Sequence, residues 1–426
     1  MTPQTRNDAP ARDAGEPDRT PSKRSLRGLD GLNFLMADVR DGLGPYLSVY
    51  LKGSLNWSAG DIGIAMATSA IAAALFQIPA GLLVDAMRAK RLLVAASGLA
   101  VALGCVLIAL FSGLLTIIAA QVMIGAASAI IPPAVAALSL GLVGHKKIDA
   151  RISRNESFNH AGNFAAAILA GTLGQWLGYI WIFYLVCAFA VASAAVVNLI
   201  NSREIDHDLA RGGEETDPER GDGGPAKPLP LKQLFGRKDF LIFLIAVVLF
   251  HFGNAAMLPM AGQVLARTHP GSDTIALSAC IIAAQLVMIG IAWGVGKAID
   301  AGYGRKAIFL VALAVLPARG VLFSLTTNPV AVVAIQLLDG VAAGIFGVIA
   351  ILIASDLMRG TGRFNLAQGL VALAIGLGAG LSNLVAGFIV QAFGYTTGFL
   401  SLAAIAVVAL VFFAVFMPET ATRARA

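Results

Sequence analysis

The strongest constraint on this chain is a series of twelve apolar runs, each 20 to 30 residues long, with short polar loops between most of them. A helix of about 20 apolar residues is long enough to cross the hydrocarbon core of a bilayer. Backbone groups in hydrocarbon must be hydrogen-bonded within their own segment, so runs of this length form helices. The predicted spans are 31–51, 62–84, 91–112, 114–143, 158–177, 179–201, 240–265, 275–299, 306–326, 329–357, 365–392 and 395–417.

The composition supports the same fold class. Hydrophobic residues make up 57% of the 426 residues and charged residues 13%, whereas soluble domains have roughly 45–50% and ~25%. This balance excludes a soluble enzyme, a nucleic-acid-binding protein and a disordered scaffold. We predict an all-α membrane protein with twelve transmembrane helices in a lipid bilayer. We expect no enzymatic activity, cofactor or metal site, because no nucleophile or metal-ligand spacing stands out and the three cysteines lie singly in apolar runs.

The basic residues predict the topology. If the N-terminus is inside, 26 of the 31 lysines and arginines fall in tails and loops on that side, and only Lys52 and Arg267 fall in loops on the other. Cytoplasmic loops of membrane proteins carry such an excess of basic residues. We therefore predict cytoplasmic N- and C-termini in a bacterial-type inner (plasma) membrane.

Polar stretches divide the chain into two apolar halves. Residues 1–30 are predicted to form a disordered cytoplasmic tail. Residues 202–238, which are rich in Gly, Pro and charged residues, are predicted to form a disordered cytoplasmic linker. Both predictions follow because such compositions cannot bury a core. They leave an N-terminal six-helix bundle at 31–201, a C-terminal six-helix bundle at 239–417 and a short cytoplasmic tail at 418–426.

The two halves are related by an internal repeat. Four groups of residues recur at a nearly constant spacing of 214 to 216 positions, which indicates duplication of a six-helix unit. The matched groups are Gly44-Pro45 with Leu258-Pro259; Gly81-x-x-x-Asp85 and Lys90-Arg91 with Gly296-x-x-x-Asp300 and Arg305-Lys306; Gln121 and Gly125 with Gln336 and Gly340; and Ala170-Gly171, Gln175 and Gly178-Tyr179 with Ala386-Gly387, Gln391 and Gly394-Tyr395.

At these residues the chain resembles the major facilitator superfamily, whose hallmark is Gly-x-x-x-Asp with a following basic pair between the second and third helices. The resemblance covers about 30–417 and implies two bundles that rock around a midplane site. The glycines of the duplicated loop allow close helix approach, and its aspartates are expected to pair with basic residues as a cytoplasmic gate. The alternative is that the basic residues only fix the topology. The gating candidates are Gly81, Asp85, Arg88, Lys90, Arg91, Gly296, Asp300, Arg305 and Lys306.

Polar side chains at mid-depth of the spans form a second group of candidates, because they are costly in a membrane and mark functional sites. They lie on the first, fourth, seventh and tenth spans, which line the cavity in the family that the chain resembles. The proton-coupling or substrate candidates are Asp38, Arg40, Asp41, Gln121, His251, Asn254, Gln336 and Asp339.

The mid-depth charges favour a carboxylate that binds and releases a proton, since three carboxylates accompany one arginine and a low-dielectric site opposes so much negative charge. We favour Asp38 or Asp41 on the first span, and Asp339 next. The alternative for the first-span carboxylates is a permanent ion pair that only holds helices together. The alternative for Asp339 is a single structural bridge to Arg40. Arg319, on the peripheral ninth span, is predicted to be structural or to extend outward along the membrane.

Candidate inter-bundle residues flank the fifth and eleventh spans. Glu156 and Arg363 are predicted to form salt bridges between the bundles, and His160 and Asn163 to line the inner vestibule. The alternative is that the asparagines cap a helix N-terminus. His251 is either a titrating histidine or a neutral, hydrogen-bonded one.

We predict a secondary active transporter that works by alternating access as a monomer, with proton-coupled export of a small neutral or cationic solute favoured. One alternative is a proton-coupled importer of a small metabolite, and another class is a membrane receptor or scaffold that does not transport. Gln121 stands where proton-coupled drug exporters of the family carry an arginine, and the fifth span lacks their proline, so a standard drug antiporter is disfavoured. The Pro132-Pro133 pair is predicted to bend the fourth span.

Overall fold

The computed structural model describes residues 21–41, 43–144, 147–207, 209–211, 236–359 and 364–421. Across these ranges the regular secondary structure is helical. The helices are α1 (Lys23–Asp41), α2 (Leu43–Gly53), α3 (Ala59–Ala86), α4 (Lys90–Leu110), α5 (Leu114–Val143), α6 (Ile148–Leu177), α7 (Ile180–Val196), α8 (Lys238–Asn254), α9 (Met257–Thr268), α10 (Asp273–Asp300), α11 (Arg305–Ser324), α12 (Pro329–Met358) and α13 (Phe364–Phe416). α5 continues through Pro132 and Pro133.

These helices confirm the membrane-spanning fold class. Nine segments within the described ranges are long and apolar enough to cross a membrane. One of them, Leu366–Phe416, has 51 residues and loses helical geometry at Gly394. It supplies two spans, since about 20 residues cross a bilayer. The α1–α2 pair and α6 are more polar and fall outside this set of nine. The total of twelve crossings stays a prediction from the apolar runs.

The seventh span is broken into two helices, where the apolar runs predict one. The break lies between α8 and α9, and Pro259 follows it. Proline has no N–H to continue a helical ladder. The first span carries a proline at the corresponding place, Pro45, but residue 42 between α1 and α2 lies outside the described residues. The Ser48 hydroxyl lies within hydrogen-bond distance of both proline carbonyls, at 2.7 and 3.1 Å. The first and seventh spans therefore contact each other between the halves.

The start of the first helix corrects the predicted N-terminal tail. α1 begins at Lys23, so residues 23–30 are helical rather than part of a disordered segment. Leu29 and Asp30 in this turn are buried, which their packing against the rest of the first half explains. The rest of the predicted tail, up to residue 20, lies outside the described residues.

The chain after α7 corrects the predicted linker. A short 3₁₀ turn at Ser202–Glu204 is followed by one at Leu209–Arg211 that packs against α5, and Ile205 and Ala210 are buried. The Asp206 N–H donates to the Gly141 carbonyl at 2.8 Å. Apolar side chains in this stretch thus overcome its polar composition. The predicted linker at 212–235 lies outside the described residues.

Among the described helices, the two halves meet mainly through α3 with α13, α6 with α10 and α2 with α9, and α2 also contacts α10. Both ends of the described chain lie on one side, which we call the terminal side; there Glu419 accepts a hydrogen bond from the Arg305 N–H. The opposite side is called the distal side.

The halves pack tightly on the distal side and are apart on the terminal side. A Cβ atom on Gly63, near the distal end of α3, would lie 2.5 Å from the Asn383 carbonyl of the other half. Cβ atoms on Gly81 and Gly296, near the terminal side, would have no neighbour within 4 Å. The close approach predicted for these two glycines is therefore wrong for this conformation, which is open on the terminal side.

Candidate functional site

The structure brings three mid-depth residues of the second half together with one arginine in a buried cluster. Asn254 is the last residue of α8, Arg319 lies on α11, and Gln336 and Asp339 lie on α12. The Arg319 side chain is 1% exposed and forms a 2.8 Å salt bridge from Nη1 to Oδ1 of Asp339, whose side chain is 19% exposed. The cluster therefore holds a buried charge pair whose carboxylate remains partly accessible.

Amide groups add further hydrogen bonds to this charge pair, although the buried Nε of Arg319 has no acceptor among the described residues. Arg319 donates to Oδ1 of Asn254 and, at 2.9 Å, to Oε1 of Gln336. Gln336 donates from Nε2 to Oδ2 of Asp339 at 2.9 Å, and Asn254 donates from Nδ2 to Oδ1 of Asp339 at 3.3 Å. The guanidinium thus has two amide acceptors besides the carboxylate. Buried polar networks of this kind strengthen each bond in the low local dielectric.

Of the two alternatives predicted for Arg319, a structural role or outward extension, the orientation of the side chain contradicts outward extension. Its guanidinium points into the second half because a carboxylate is available there on α12. Asp339 accordingly pairs with Arg319, and the expected bridge to Arg40 is wrong. A charge in the middle of an apolar run, with a carboxylate on the next run, is the sequence signal that could have indicated this pair.

The first half packs without charge at the corresponding positions. At the repeat spacing of 215, Arg319 corresponds to Gly104 and Asp339 to Ile124. A Cβ atom on Gly104 would lie 2.5 Å from Cγ1 of Ile124, so these positions are also in contact. The same helix crossing therefore forms in the first half with apolar residues, and the fold itself does not require an ion pair there.

His251 lies one turn before the cluster on α8. Its Nδ1 donates to the Val247 carbonyl at 3.0 Å. Its ring contacts Phe250 and Phe346, with centroid distances of 5.1 and 4.7 Å. Of the two alternatives, this geometry favours a neutral, hydrogen-bonded histidine.

The first-half candidates lie apart from the Arg319–Asp339 pair. Asp38 is 5% exposed within α1, whereas Arg40 in its last turn is exposed. Asp41 ends α1, and its side chain lies outside the described residues. Gln121 on α5 is 3% exposed and donates to the Ala65 carbonyl at 3.2 Å. The mid-depth candidates thus divide between the two halves.

The first gating loop is tied to its own half. Lys90 is 1% exposed, and its Nζ donates to the Val84 carbonyl at 2.8 Å, which caps the end of α3. Arg91 donates to the Ile200 carbonyl, and Asp85 is exposed.

The second gating loop is tied within its own half in the same way. Arg305 lies 3.5 Å from the Asp356 carboxylate. The N–H groups of Arg305 and Lys306 donate to Glu419 at 2.9 and 3.2 Å. Asp300 is exposed.

The predicted pairing of Asp85 with Arg88, Arg91 or Arg305 is absent from the described part of the chain. The physical reason is the separation of the halves on the terminal side, which leaves Asp85 and Arg88 exposed to solvent. Whether the loops act as a gate in another conformation stays a prediction.

The inter-bundle candidates have separate surroundings. α6 begins at Ile148, so the expected N-capping by asparagines of 155–163 is wrong. Nδ1 of His160 lies 3.2 Å from Oε1 of Gln285 on α10, a contact between the halves. Glu156 is exposed and accepts from Asn159 at 3.3 Å instead of from a base. Asn163 is half-buried, and Arg363 lies outside the described residues.

A charge cluster on the terminal side was missed from the sequence. Asp30 is 5% exposed and binds Arg151 and Arg154, at 2.5 and 2.8 Å. Burial alone would raise the pKa of Asp30, but the hydrogen bonds and charges of the two arginines together lower it below its ordinary value. The sequence marks both arginines only as topology signals. In the described part of the chain no three His, Cys, Asp or Glu side chains group as a metal site.

Comparison with known proteins decides the family. The sequence profile of the Major Facilitator Superfamily matches residues 30–316 and 295–426. The chain belongs to the major facilitator superfamily. An uncharacterised MFS-type transporter of Mycobacterium tuberculosis is 46% identical over 350 residues, which cover 81% of this chain and 82% of that protein. Membership in this superfamily makes the chain an integral membrane transporter and not an enzyme.

Solved structures of the superfamily share the fold at low sequence identity. A nucleoside transporter superposes with a TM-score of 0.71 at 16% identity, covering 92% of this chain and 98% of that one. A D-xylose–proton symporter superposes with a TM-score of 0.70 at 15% identity, covering 93% and 98%. A peptide transporter in complex with sulfate superposes with a TM-score of 0.75 at 13% identity, covering 92% of this chain and 94% of that one.

Proposed function

We propose that this transporter works by alternating access as a monomer and exports a small neutral or cationic solute against proton uptake, with Asp339 as the proton-binding residue. The observation that carries the proposal is the buried Arg319–Asp339 pair, which the first half replaces by apolar residues. A charge pair that the fold does not need, and that is costly in a membrane, is best explained by a function.

The surroundings of the pair allow the carboxylate to accept a proton. Neutralising one partner of a buried ion pair normally leaves the other charge uncompensated, which is costly. Here Arg319 keeps amide oxygens of Asn254 and Gln336 as acceptors when Asp339 is neutral. The partly exposed Asp339 side chain also gives a proton access to the carboxylate. These contacts support Asp339 over a purely structural bridge.

The position of the cluster connects proton binding to movement. Asn254, which contacts both Arg319 and Asp339, is the last residue of α8 before the break in the seventh span. Discontinuous transmembrane helices form the mid-membrane site of many transporters. A proton on Asp339 weakens the charge interactions at this break and so changes the balance between the two conformations.

The terminal side is proposed to be cytoplasmic, as the basic residues predict, so the described conformation is open to the cytoplasm. Asp38 and Asp41 remain candidate proton or cation ligands on the first span. The negative balance at mid-depth supports a neutral or cationic solute, because an anion would add to the repulsion.

The test is transport in proteoliposomes with an imposed pH gradient. Ethidium represents cationic solutes, and uridine and D-xylose represent neutral ones. We expect an outward-directed solute flux that increases with an inward proton gradient, and that is lost in Asp339→Asn. His269→Gln, at a half-buried histidine of the distal side, is the control and should transport normally.

A proton-coupled importer is the second candidate, and the same assay distinguishes it. Uptake of uridine or D-xylose that is driven by an inward proton gradient would contradict export. If Asp339→Asn and Asp41→Asn both leave flux and cellular phenotype unchanged, a receptor or scaffold becomes the better account.

A further inference from the structure

The repeated sequence Gln-x-x-Gly-Tyr has no role in the function proposed above. It occurs at Gln175–Tyr179 and again at Gln391–Tyr395. Its glycines have positive φ angles, 98° and 85°, and each ends or interrupts a helix on the distal side. We propose that Gln175 and Gln391 are two matched latches that hold the halves together on the distal side while the transporter is open on the terminal side. The proposal rests on alternating access.

Each glutamine forms its hydrogen bond with backbone of the other half. Oε1 of Gln391, in the second half, accepts from the Gly60 N–H at 3.0 Å and lies 3.3 Å from the Ser58 hydroxyl at the start of α3. Nε2 of Gln175, in the first half, donates to the Gly271 carbonyl between α9 and α10. Because the Gly60 N–H and the Gly271 carbonyl are backbone groups, each hydrogen bond forms only at one separation of the two halves.

Close helix contacts accompany both latches. A Cβ atom on Gly387 would lie 2.9 Å from Cα of Gly63, and one on Gly171 would lie 2.5 Å from the Ser278 hydroxyl. Gly171 and Gly387 are repeat partners at a spacing of 216, and Gly63 and Ser278 at 215. The two interfaces are therefore repeat-related, and a glutamine bonds across each only when its helices reach this separation.

The latches must break in each transport cycle. A state open on the distal side separates α3 from α13 and α6 from α10, which removes the Gln391 and Gln175 bonds and leaves these groups to water. The glutamines thus stabilise one of the two conformations by their differential contacts, which is the requirement for setting a conformational equilibrium. Neutral amides suit this role, since they are readily hydrated when the distal side opens.

The test measures conformation without any solute. The three native cysteines, Cys105, Cys187 and Cys280, are replaced by alanine, and nitroxide labels are attached to cysteines introduced at exposed loop positions. The distal pair is Ser112 and Thr327, and the terminal pair is Ala89 and Ala301. Double electron–electron resonance then gives the distance distribution for each pair in lipid nanodiscs.

Gln175→Met and Gln391→Met keep the side-chain length but cannot form the latch bonds. A net hydrogen bond contributes about a factor of five to an equilibrium. We therefore expect each variant to raise the population with a long distal and a short terminal distance by about fivefold, and the double variant by about 25-fold. Gln175→Glu should act like Gln175→Met, because an ionised carboxylate cannot donate to the Gly271 carbonyl.

Thr397→Val is the matched control. It removes a hydroxyl on α13 that bonds to the Phe393 carbonyl of its own half and should leave both distributions unchanged. Gly63→Ala is a second route to the same state, because its Cβ would lie 2.5 Å from the Asn383 carbonyl and force the distal side apart.

A double glutamine variant with the distance distributions of the parent would overturn the latch proposal, whatever solute is transported. If the distances shift as expected but proteoliposomes show no proton-coupled flux, the latches stand and the proposed export fails. The two proposals are therefore tested separately.

Discussion

Replacing Asp339 by asparagine imitates a bound proton, because it removes the negative charge and keeps the shape of the side chain. The structure predicts how far this change destabilises the protein. Asp339 holds a 2.8 Å salt bridge to Arg319, whose side chain is 1% exposed. The arginine therefore cannot turn to water when the charge on its partner disappears.

The expected cost follows from the bonds that remain. Removing one partner of a buried ion pair typically costs about 3–5 kcal/mol. Arg319 keeps Asn254 and Gln336 as acceptors, and a hydrogen bond to a charged group contributes about 1.5–3 kcal/mol. We expect Asp339→Asn to lower the free energy of unfolding by about 2 kcal/mol, less than an unsupported buried charge would.

The assay is equilibrium unfolding by SDS in mixed micelles, followed by the fluorescence of the four tryptophans. Arg319→Met with Asp339→Asn completes a double-mutant cycle. Because the double variant leaves no uncompensated charge, it should be more stable than the sum of the single effects predicts, by about 1.5–3 kcal/mol. The corresponding Gly104 and Ile124 positions already show that an uncharged crossing packs well.

A loss above about 4 kcal/mol for Asp339→Asn would refute this reasoning, since it would show that the amide acceptors do not support Arg319. A neutral residue 339 would then be too costly to occur in a transport cycle. The proton would have to bind elsewhere, with Asp38 and Asp41 the next candidates. Additive single and double effects would show instead that the pair is not energetically coupled.

Three further predictions concern stability, each checked by the same unfolding assay. Asp30→Asn should lower the free energy of unfolding by about 2 kcal/mol near pH 7, because it removes a carboxylate held by two arginines. Since the pKa of Asp30 is lowered in the folded protein, this contribution is complete above about pH 5 and is lost as the pH falls below about 4. A variant whose free energy of unfolding depends on pH as that of the parent does would contradict this explanation. Gly125→Ala should lower the free energy of unfolding by about 1–3 kcal/mol, because its Cβ would lie 2.3 Å from the Ser69 carbonyl. Gly347→Ala, whose Cβ would have no neighbour within 4 Å, should be neutral or stabilising. Equal effects of the two substitutions would argue against the packing explanation. Lys90→Met should lower the free energy of unfolding by about 1–3 kcal/mol, because buried carbonyls lose their hydrogen-bond donor. An unchanged midpoint of the unfolding transition would show that the Lys90 ammonium is dispensable.

The apolar runs were sufficient to predict a helical membrane protein, because bilayer thickness fixes the length of a span. They also placed Asn254, Gln336 and Asp339 at one depth. The direction of Arg319 was not predictable in the same way, since an apolar run has no polar face that shows which side is buried. It depends on a partner from another helix.

The helix break before Pro259 and the packed turns after α7 could not be predicted, for related reasons. Composition averages over the break near Pro259, where the apolar character is uninterrupted. It also averages over Ile205 and Ala210, which lie in a polar stretch but are buried against α5. A few apolar contacts decide such segments, and these contacts are set by tertiary structure. The crossing contacts of Gln175 and Gln391 likewise depend on how the halves meet.

The packed turns after α7 also affect how the gene can be divided. Residues through Arg211 belong physically to the first half, since Asp206 bonds to Gly141 and Ile205 is buried beside it. Splitting the chain at residue 202, where the polar composition begins, would remove this stretch from its binding surface. Two halves expressed as separate polypeptides should assemble better when the first ends after Arg211. The same boundary is suitable for inserting a fluorescent domain without disturbing the end of α5.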